Sequence, residues 1–107
     1  MLSIDEFRKI DLRVATITAA APHPNADRLL VLQVDLGTEQ RQLVAGIRAH
    51  YEPTALVGKQ IVMVANLETA TLRGVQSQGM LLAASDAEGN LEIVAPERAI
   101  ATVATVK

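Results

Sequence analysis

The sequence predicts an all-β fold with short helices, a small barrel, and three observations carry that expectation. Apolar and polar residues alternate in short runs such as Leu12-Arg13-Val14-Ala15-Thr16-Ile17-Thr18, the period of a half-buried strand. Turn-forming clusters punctuate those runs, at Pro22-His23-Pro24-Asn25, Gly37-Thr38-Glu39 and Asp86-Ala87-Glu88-Gly89-Asn90. The two segments that carry helix-start signals are both short.

Each element follows in order. Ser3 with Glu6 three residues later forms a capping-box pattern, which predicts a short helix over residues 4–10 with Ile4 and Phe7 on one side. A strand over 12–18 ends before the two prolines of the 22–25 loop. A second strand spans 29–36, with Leu30, Leu32 and Val34 sharing one face. The turn at 37–39 leads to a third strand over 41–45. Pro53 opens a short helix over 53–57, and Gly58 stands where a left-handed cap residue belongs. Residues 61–65 and 80–84 read as buried strands. Between them lies a polar, irregular segment, Leu72-Arg73-Gly74-Val75-Gln76-Ser77-Gln78-Gly79, whose glycines permit turns closed to other residues. A hairpin turn at 86–90 and a strand over 91–94 follow, and the alternating tail 100–106 suggests a final strand. Three strands, a short helix and further strands is the element order of a five-stranded Greek-key OB barrel with terminal extensions.

The chain has 107 residues, half of them hydrophobic, enough for one packed core. A single domain over 1–107 is expected. Phe7 and Tyr51 are the only aromatics and cysteine is absent, so disulfides and thiolate metal sites are excluded. No apolar run approaches the roughly 20 residues needed to cross a bilayer. The acids near Met1 leave no room for a signal-peptide core. A soluble, cytoplasmic protein with no membrane partner is expected.

The net charge is −2, which argues mildly against a phosphate-rich ligand. Its distribution softens that objection. Residues 40–81 carry Arg41, Arg48, Lys59 and Arg73 against only Glu52 and Glu68, and seven of the ten cations in the chain are arginine. Arginine suits bidentate phosphate and base-edge contacts.

Motifs for catalysis are missing. His23 and His50 stand far apart with no cysteine near either, short of the three or four close ligands zinc requires. No phosphate loop and no nucleophile elbow occurs. The Asp5-Glu6 pair suits the positive end of the first helix. No catalytic residue, cofactor or metal is expected.

Several stretches together resemble a known family. They include Phe7-Arg8-Lys9-Ile10-Asp11-Leu12-Arg13-Val14, His23-Pro24-Asn25-Ala26-Asp27-Arg28-Leu29, Val34-Asp35-Leu36-Gly37 and Arg41-Gln42-Leu43-Val44-Ala45-Gly46-Ile47. Ala65-Asn66-Leu67 and the run from Leu72 to Ala83 complete the set. This pattern resembles the tRNA-binding domain family, whose members include the C-terminal appendage of methionyl-tRNA synthetases and free-standing dimeric proteins. The resemblance implies an OB fold, tRNA as ligand, a homodimer joined through terminal segments and a possible aminoacyl-tRNA synthetase partner. It leaves open a stand-alone protein or an excised synthetase domain. Thr71 stands where many members carry lysine, which removes one phosphate contact.

OB barrels bind across strands 2 and 3 with the flanking loops closing over the ligand. That geometry selects Gln33, Arg41 and Gln42 from the sheet and Arg28 at the strand entrance. Arg73, Ser77, Gln78 and Met80 come from the glycine-bracketed segment and the strand after it. Arginine supplies the salt-dependent phosphate term, Ser and Gln reach ribose hydroxyls or base edges, and Met80 packs on a base or ribose. With no aromatic rings to spare, recognition by tRNA shape and backbone is expected. Plainer roles fit the same residues. Arg28, Arg41 and Arg48 suit a solvated surface, Ser77 and Gln78 can satisfy turn backbone, Met80 can fill core, and Asn66 can hold a turn. His23 reads as a loop residue. The tail fits either its own barrel or a second copy across a two-fold axis. The rival function is a protein-interaction, dimerisation or chaperone-like OB domain with weak or lost RNA binding.

Overall fold

A computed structural model describes all of residues 1–107. Ten strands and two short helices follow one another as α1 (Ile4–Phe7), β1 (Leu12–Pro22), β2 (Leu30–Asp35), β3 (Gln40–Ala45), α2 (Pro53–Leu56), β4 (Gln60–Val64), β5 (Ala70–Leu72), β6 (Val75–Ser77), β7 (Met80–Leu81), β8 (Ala83–Ser85), β9 (Leu91–Ile93) and β10 (Thr105–Val106). The main antiparallel sheet runs β3-β2-β1-β4-β7. Residues 77–79 then return to β3, where the Gln78 N–H donates to the Gln42 carbonyl at 2.7 Å. That return nearly closes the barrel in the OB order.

Alternation along the strands sets what lies inside. Leu30, Leu32 and Val34 are fully buried, as are Ile17, Leu43, Ile61 and Met63. Leu56 of α2 joins this core with no exposed surface, so the short helix plugs one mouth of the barrel. Burying a side chain of that size contributes about 1.5–3 kcal/mol. Gly58 takes φ +90° just beyond the helix and donates its N–H to the Ile17 carbonyl at 2.8 Å. β4 is buried on both faces. Ile61 and Met63 point into the barrel, whereas Val62 and Val64 join Leu12 in a second cluster backed by Phe7, Leu82 and Val106.

Several boundaries differ from the sequence expectation, each for a local reason. The capping box forms as expected, with Ser3 Oγ accepting the Glu6 N–H at 3.1 Å. The helix nevertheless stops at Phe7, because no residue of α1 is buried and tertiary packing is what sustains a helix this short. β1 continues to Pro22. A bulge at Thr18 breaks the alternation, and the residues beyond it pair with β2, Ala20 opposite Leu32 and Pro22 opposite Leu30, while Ala20 also packs on the core. The predicted 80–84 strand divides at Leu82, whose N–H still donates to the Val62 carbonyl of β4 at 3.0 Å while Ala83 to Ser85 beyond it pair with β9. In the tail Thr105 and Val106 pair with Arg13 and Leu12 of the same chain, and Val103 and Ala104 exchange backbone hydrogen bonds with Val14. Arg13 secures that end by donating to the Thr105 hydroxyl at 3.0 Å.

Segment 72–79 carries the largest difference. It is a β-hairpin, with Leu72 opposite Val75 across a two-residue turn. Arg73 at φ +52° and Gly74 at φ +89° are both left-handed, as a type I′ turn demands. Such turns favour Asn-Gly or Asp-Gly, so Arg-Gly gave no hairpin signal.

Candidate functional site

All but one of the sequence-selected residues fall into two groups. Gln33, Arg41, Gln42, Ser77 and Gln78 meet at the seam where the chain returns to β3. Ser77 is 4% exposed. Its hydroxyl accepts the Val44 N–H at 2.9 Å and donates to the Gly79 carbonyl at 2.9 Å. The Gln78 amide oxygen accepts the Gln42 N–H at 3.0 Å, and the Gln42 amide donates to the Gln76 carbonyl at 2.7 Å. Gln33 donates to the Gln42 amide oxygen at 2.9 Å. The Arg41 guanidinium donates to the carbonyls of Ala65 and Gln78 and pairs with Glu39 at 2.8 Å. Together these side chains supply ladder bonds that a one-bond backbone seam lacks.

Gly79 makes the seam possible. At φ +142° a Cβ there would lie 2.6 Å from Met63 Cε and 2.9 Å from the Val64 carbonyl oxygen, so no larger residue fits without moving the core.

The second group lies at the end of the barrel where loop 23–29 meets the β5–β6 turn. Arg28 and Arg73 line one cleft with Asn25, Ala26, Asp27 and Leu29. Arg48, which the sequence left as a surface residue, is tied to this loop by its backbone, its N–H donating to the Arg28 carbonyl at 3.4 Å. All three arginines are exposed and none forms an ion pair. Arg73 holds its place through a bond to the Asn25 carbonyl at 3.2 Å. A non-glycine residue at positive φ costs about 1 kcal/mol or more, and such strain gathers at functional sites.

His23 is the hidden part of this end. It is 3% exposed, not a surface loop residue. Its Nδ1 accepts the Asn25 N–H at 2.9 Å, which leaves Nε2–H to donate to the Leu72 carbonyl at 2.9 Å. The neutral ring therefore ties loop 23–29 to the hairpin that carries Arg73. Only the Pro-His-Pro setting hinted at such a fixed role. Met80 stands apart from both groups, 49% exposed on β7. Asn66 holds the segment between α1 and β1, accepting the Asp11 N–H at 2.8 Å and donating to the Lys9 carbonyl at 2.7 Å.

No three His, Cys, Asp or Glu side chains gather where they could hold a metal ion. No helix is long and apolar enough to cross a membrane.

The family model described as "Putative tRNA binding domain" matches residues 12–105. The chain belongs to the tRNA-binding domain family. A methionine–tRNA ligase of Deinococcus radiodurans is 56% identical over 97 residues, and one of Thermococcus kodakarensis is 51% identical over 106. These alignments cover 91% and 99% of this chain but only 14% of each ligase. The chain thus corresponds to about one seventh of those proteins. Among solved structures, a MetRS-related protein from Pyrococcus horikoshii superposes with a TM-score of 0.94 at 32% identity, over 100% of this chain and 98% of that one. The chaperone CsaA of Bacillus anthracis gives 0.90 at 27% identity, over 100% and 99%. This chain therefore shares its fold and family with both a synthetase-borne segment and chains of its own size.

Proposed function

We propose that this chain is a non-catalytic tRNA-binding module, working as one OB unit over residues 1–107 in the cytoplasm. The cleft lined by Arg28 and Arg73 carries the reading, because two guanidinium groups without an ion partner meet there in a chain of acidic net charge, with the backbone of Arg48 bonded to Arg28 beside them. They contact phosphates, and Met80 adds an apolar contact. The seam residues Gln33, Arg41, Gln42, Ser77 and Gln78 shape that surface from behind. With Phe7 and Tyr51 both tied into the body of the fold, folded tRNA is read by shape and backbone rather than by stacking on rings. The module acts either as a C-terminal appendage of methionyl-tRNA synthetase or in trans beside such an enzyme.

It works as a homodimer. The outer face of β1 and β4, with Leu12, Val62 and Val64 under Phe7, Leu82 and Val106, supports this, since exposed Ile4, Ile10 and Val94 extend the apolar surface. Two copies double a modest RNA-binding surface.

Titration of labelled tRNA across a salt series tests the reading. Binding that weakens with a log–log slope of about 2–4 in magnitude is expected from a few arginine–phosphate contacts, with poor competition by single-stranded DNA. Absence of binding at low salt contradicts it and favours a protein-interaction module, a role suggested by the structural likeness to the chaperone CsaA.

A further inference from the structure

A groove of about 360 Å³ opens on the barrel beside the arginine end, walled by Val44, Ile47, Met80, Leu82, Ala83 and Leu91. Its size falls within the range of about 300–1,000 Å³ usual for small-molecule pockets. Met80 faces outward because Leu81 takes the inward position of β7 opposite Met63, and its side chain stands half exposed at the groove.

The groove and the cleft are neighbours. Gly46 lies in the groove wall, and a Cβ placed on it would sit 3.8 Å from Leu29 of the cleft. One residue past the Ile47 wall the chain reaches Arg48, bonded through its backbone to Arg28. An apolar slot thus lies next to the strand end and loop that carry Arg48 and Arg28, with Arg73 on the far side of the same cleft. That combination is complementary to one nucleotide, with a flat apolar face on one side and a phosphate on the other.

We infer that the groove receives a single unpaired base of the bound tRNA, held against Met80, Ala83 and Leu91, while the adjoining phosphates lie on Arg28, Arg48 and Arg73. This rests on the tRNA-binding reading and adds a base contact to it. Apolar side chains can grip a base without aromatic rings. Such a contact takes any base with an exposed face, so sequence preference stays weak.

The chain offers a direct reporter. It has three methionines. Met63 is fully buried, Met1 is terminal and Met80 lines the groove. The two aromatic rings, Phe7 and Tyr51, are absent from the groove lining, so a ring-current shift at Met80 must come from RNA. The full chain labelled at its methionine methyl groups is titrated with unfractionated tRNA, and Met80→Leu assigns the signal. The Met80 methyl is expected to move upfield as tRNA saturates, while Met63 stays in place. In parallel, Ala83→Trp fills the groove from an exposed position and is expected to weaken tRNA binding about tenfold without lowering the thermal midpoint. Full tRNA binding with a stationary Met80 methyl, or with undiminished affinity in Ala83→Trp, overturns the base pocket and leaves the tRNA reading in place. An apolar peptide competing for the groove without displacing tRNA also overturns it. No tRNA binding by the unaltered chain overturns both.

Discussion

The β3 seam and the arginine end carry residues of the same polar types, yet use them in opposite ways. At the seam Arg41, Gln42, Ser77 and Gln78 bond to backbone groups of their own chain. At the other end Arg28, Arg48 and Arg73 have no ion partner, and Arg73 stands in a strained turn. The difference teaches that polarity within a family motif has two origins. One is the need to close a barrel where the backbone ladder is interrupted. The other is the need to leave charge available for a ligand.

Substitutions separate the two regions. Gly79→Ala brings the largest expected loss. Its Cβ collides with Met63 and the Val64 carbonyl, so stability falls by about 3 kcal/mol or more, read from urea midpoints. Ser77→Ala comes next. It leaves the Val44 N–H buried without a partner, costing about 1–3 kcal/mol and lowering the melting temperature by about 4–8 °C per kcal/mol in a domain of this size. Well below the midpoint, tRNA affinity should be unchanged; a large affinity loss there would merge the two regions into one site.

Arg73→Asn probes the arginine end from the opposite direction. Asn-Gly suits the type I′ turn better than Arg-Gly, so the melting midpoint should rise by an amount worth about 0.5 kcal/mol while tRNA binding weakens. A rise in both would break the assignment of Arg73.

The smallest effect lies far from both regions, at the β8–β9 turn. The Asn90 side chain and backbone hydrogen bonds, with further help from the backbone of Glu88 and Gly89, hold the Asp86 carboxyl below its ordinary value of 3.8. A carboxylate depressed in the folded state stabilises above its unfolded pKa and loses that contribution as pH falls through the folded value. Asp86→Asn should therefore be slightly less stable at neutral pH, and thermal scans of the two proteins should converge in acid below about pH 3.8. A difference that persists there assigns the effect to packing.

Much of this architecture is legible in the residues. Ser3 with Glu6, Gly58 after its helix, and the Leu30, Leu32, Val34 stripe act locally, and each sits where its pattern puts it. What escaped depends on partners distant in sequence. His23 is the loop residue its setting predicts, but its burial appears only when Leu72 is placed beside it. Ser77 and Gln78 read as ligand contacts or turn residues until Val44 and Gln42 arrive. The β5–β6 hairpin escaped because an arginine occupies a turn position that usually announces itself with Asn, Asp or Gly. The candidate site was half legible. Arg28 and Arg73, selected by type and position, line one cleft, whereas the backbone bond that brings Arg48 to Arg28 follows no sequence pattern.

The comparison is tested most directly by the salt dependence of tRNA binding in two double variants, Arg28→Ala/Arg73→Ala and Gln33→Ala/Gln42→Ala. The account predicts that removing the two arginines lowers the log–log slope by about 2, roughly one per lost phosphate contact, with little change in stability. The glutamine variant should keep the slope of the unaltered chain and lose stability instead. An unchanged slope in the arginine variant, together with a reduced one in the glutamine variant, would move the phosphate contacts to the β3 seam and contradict the account.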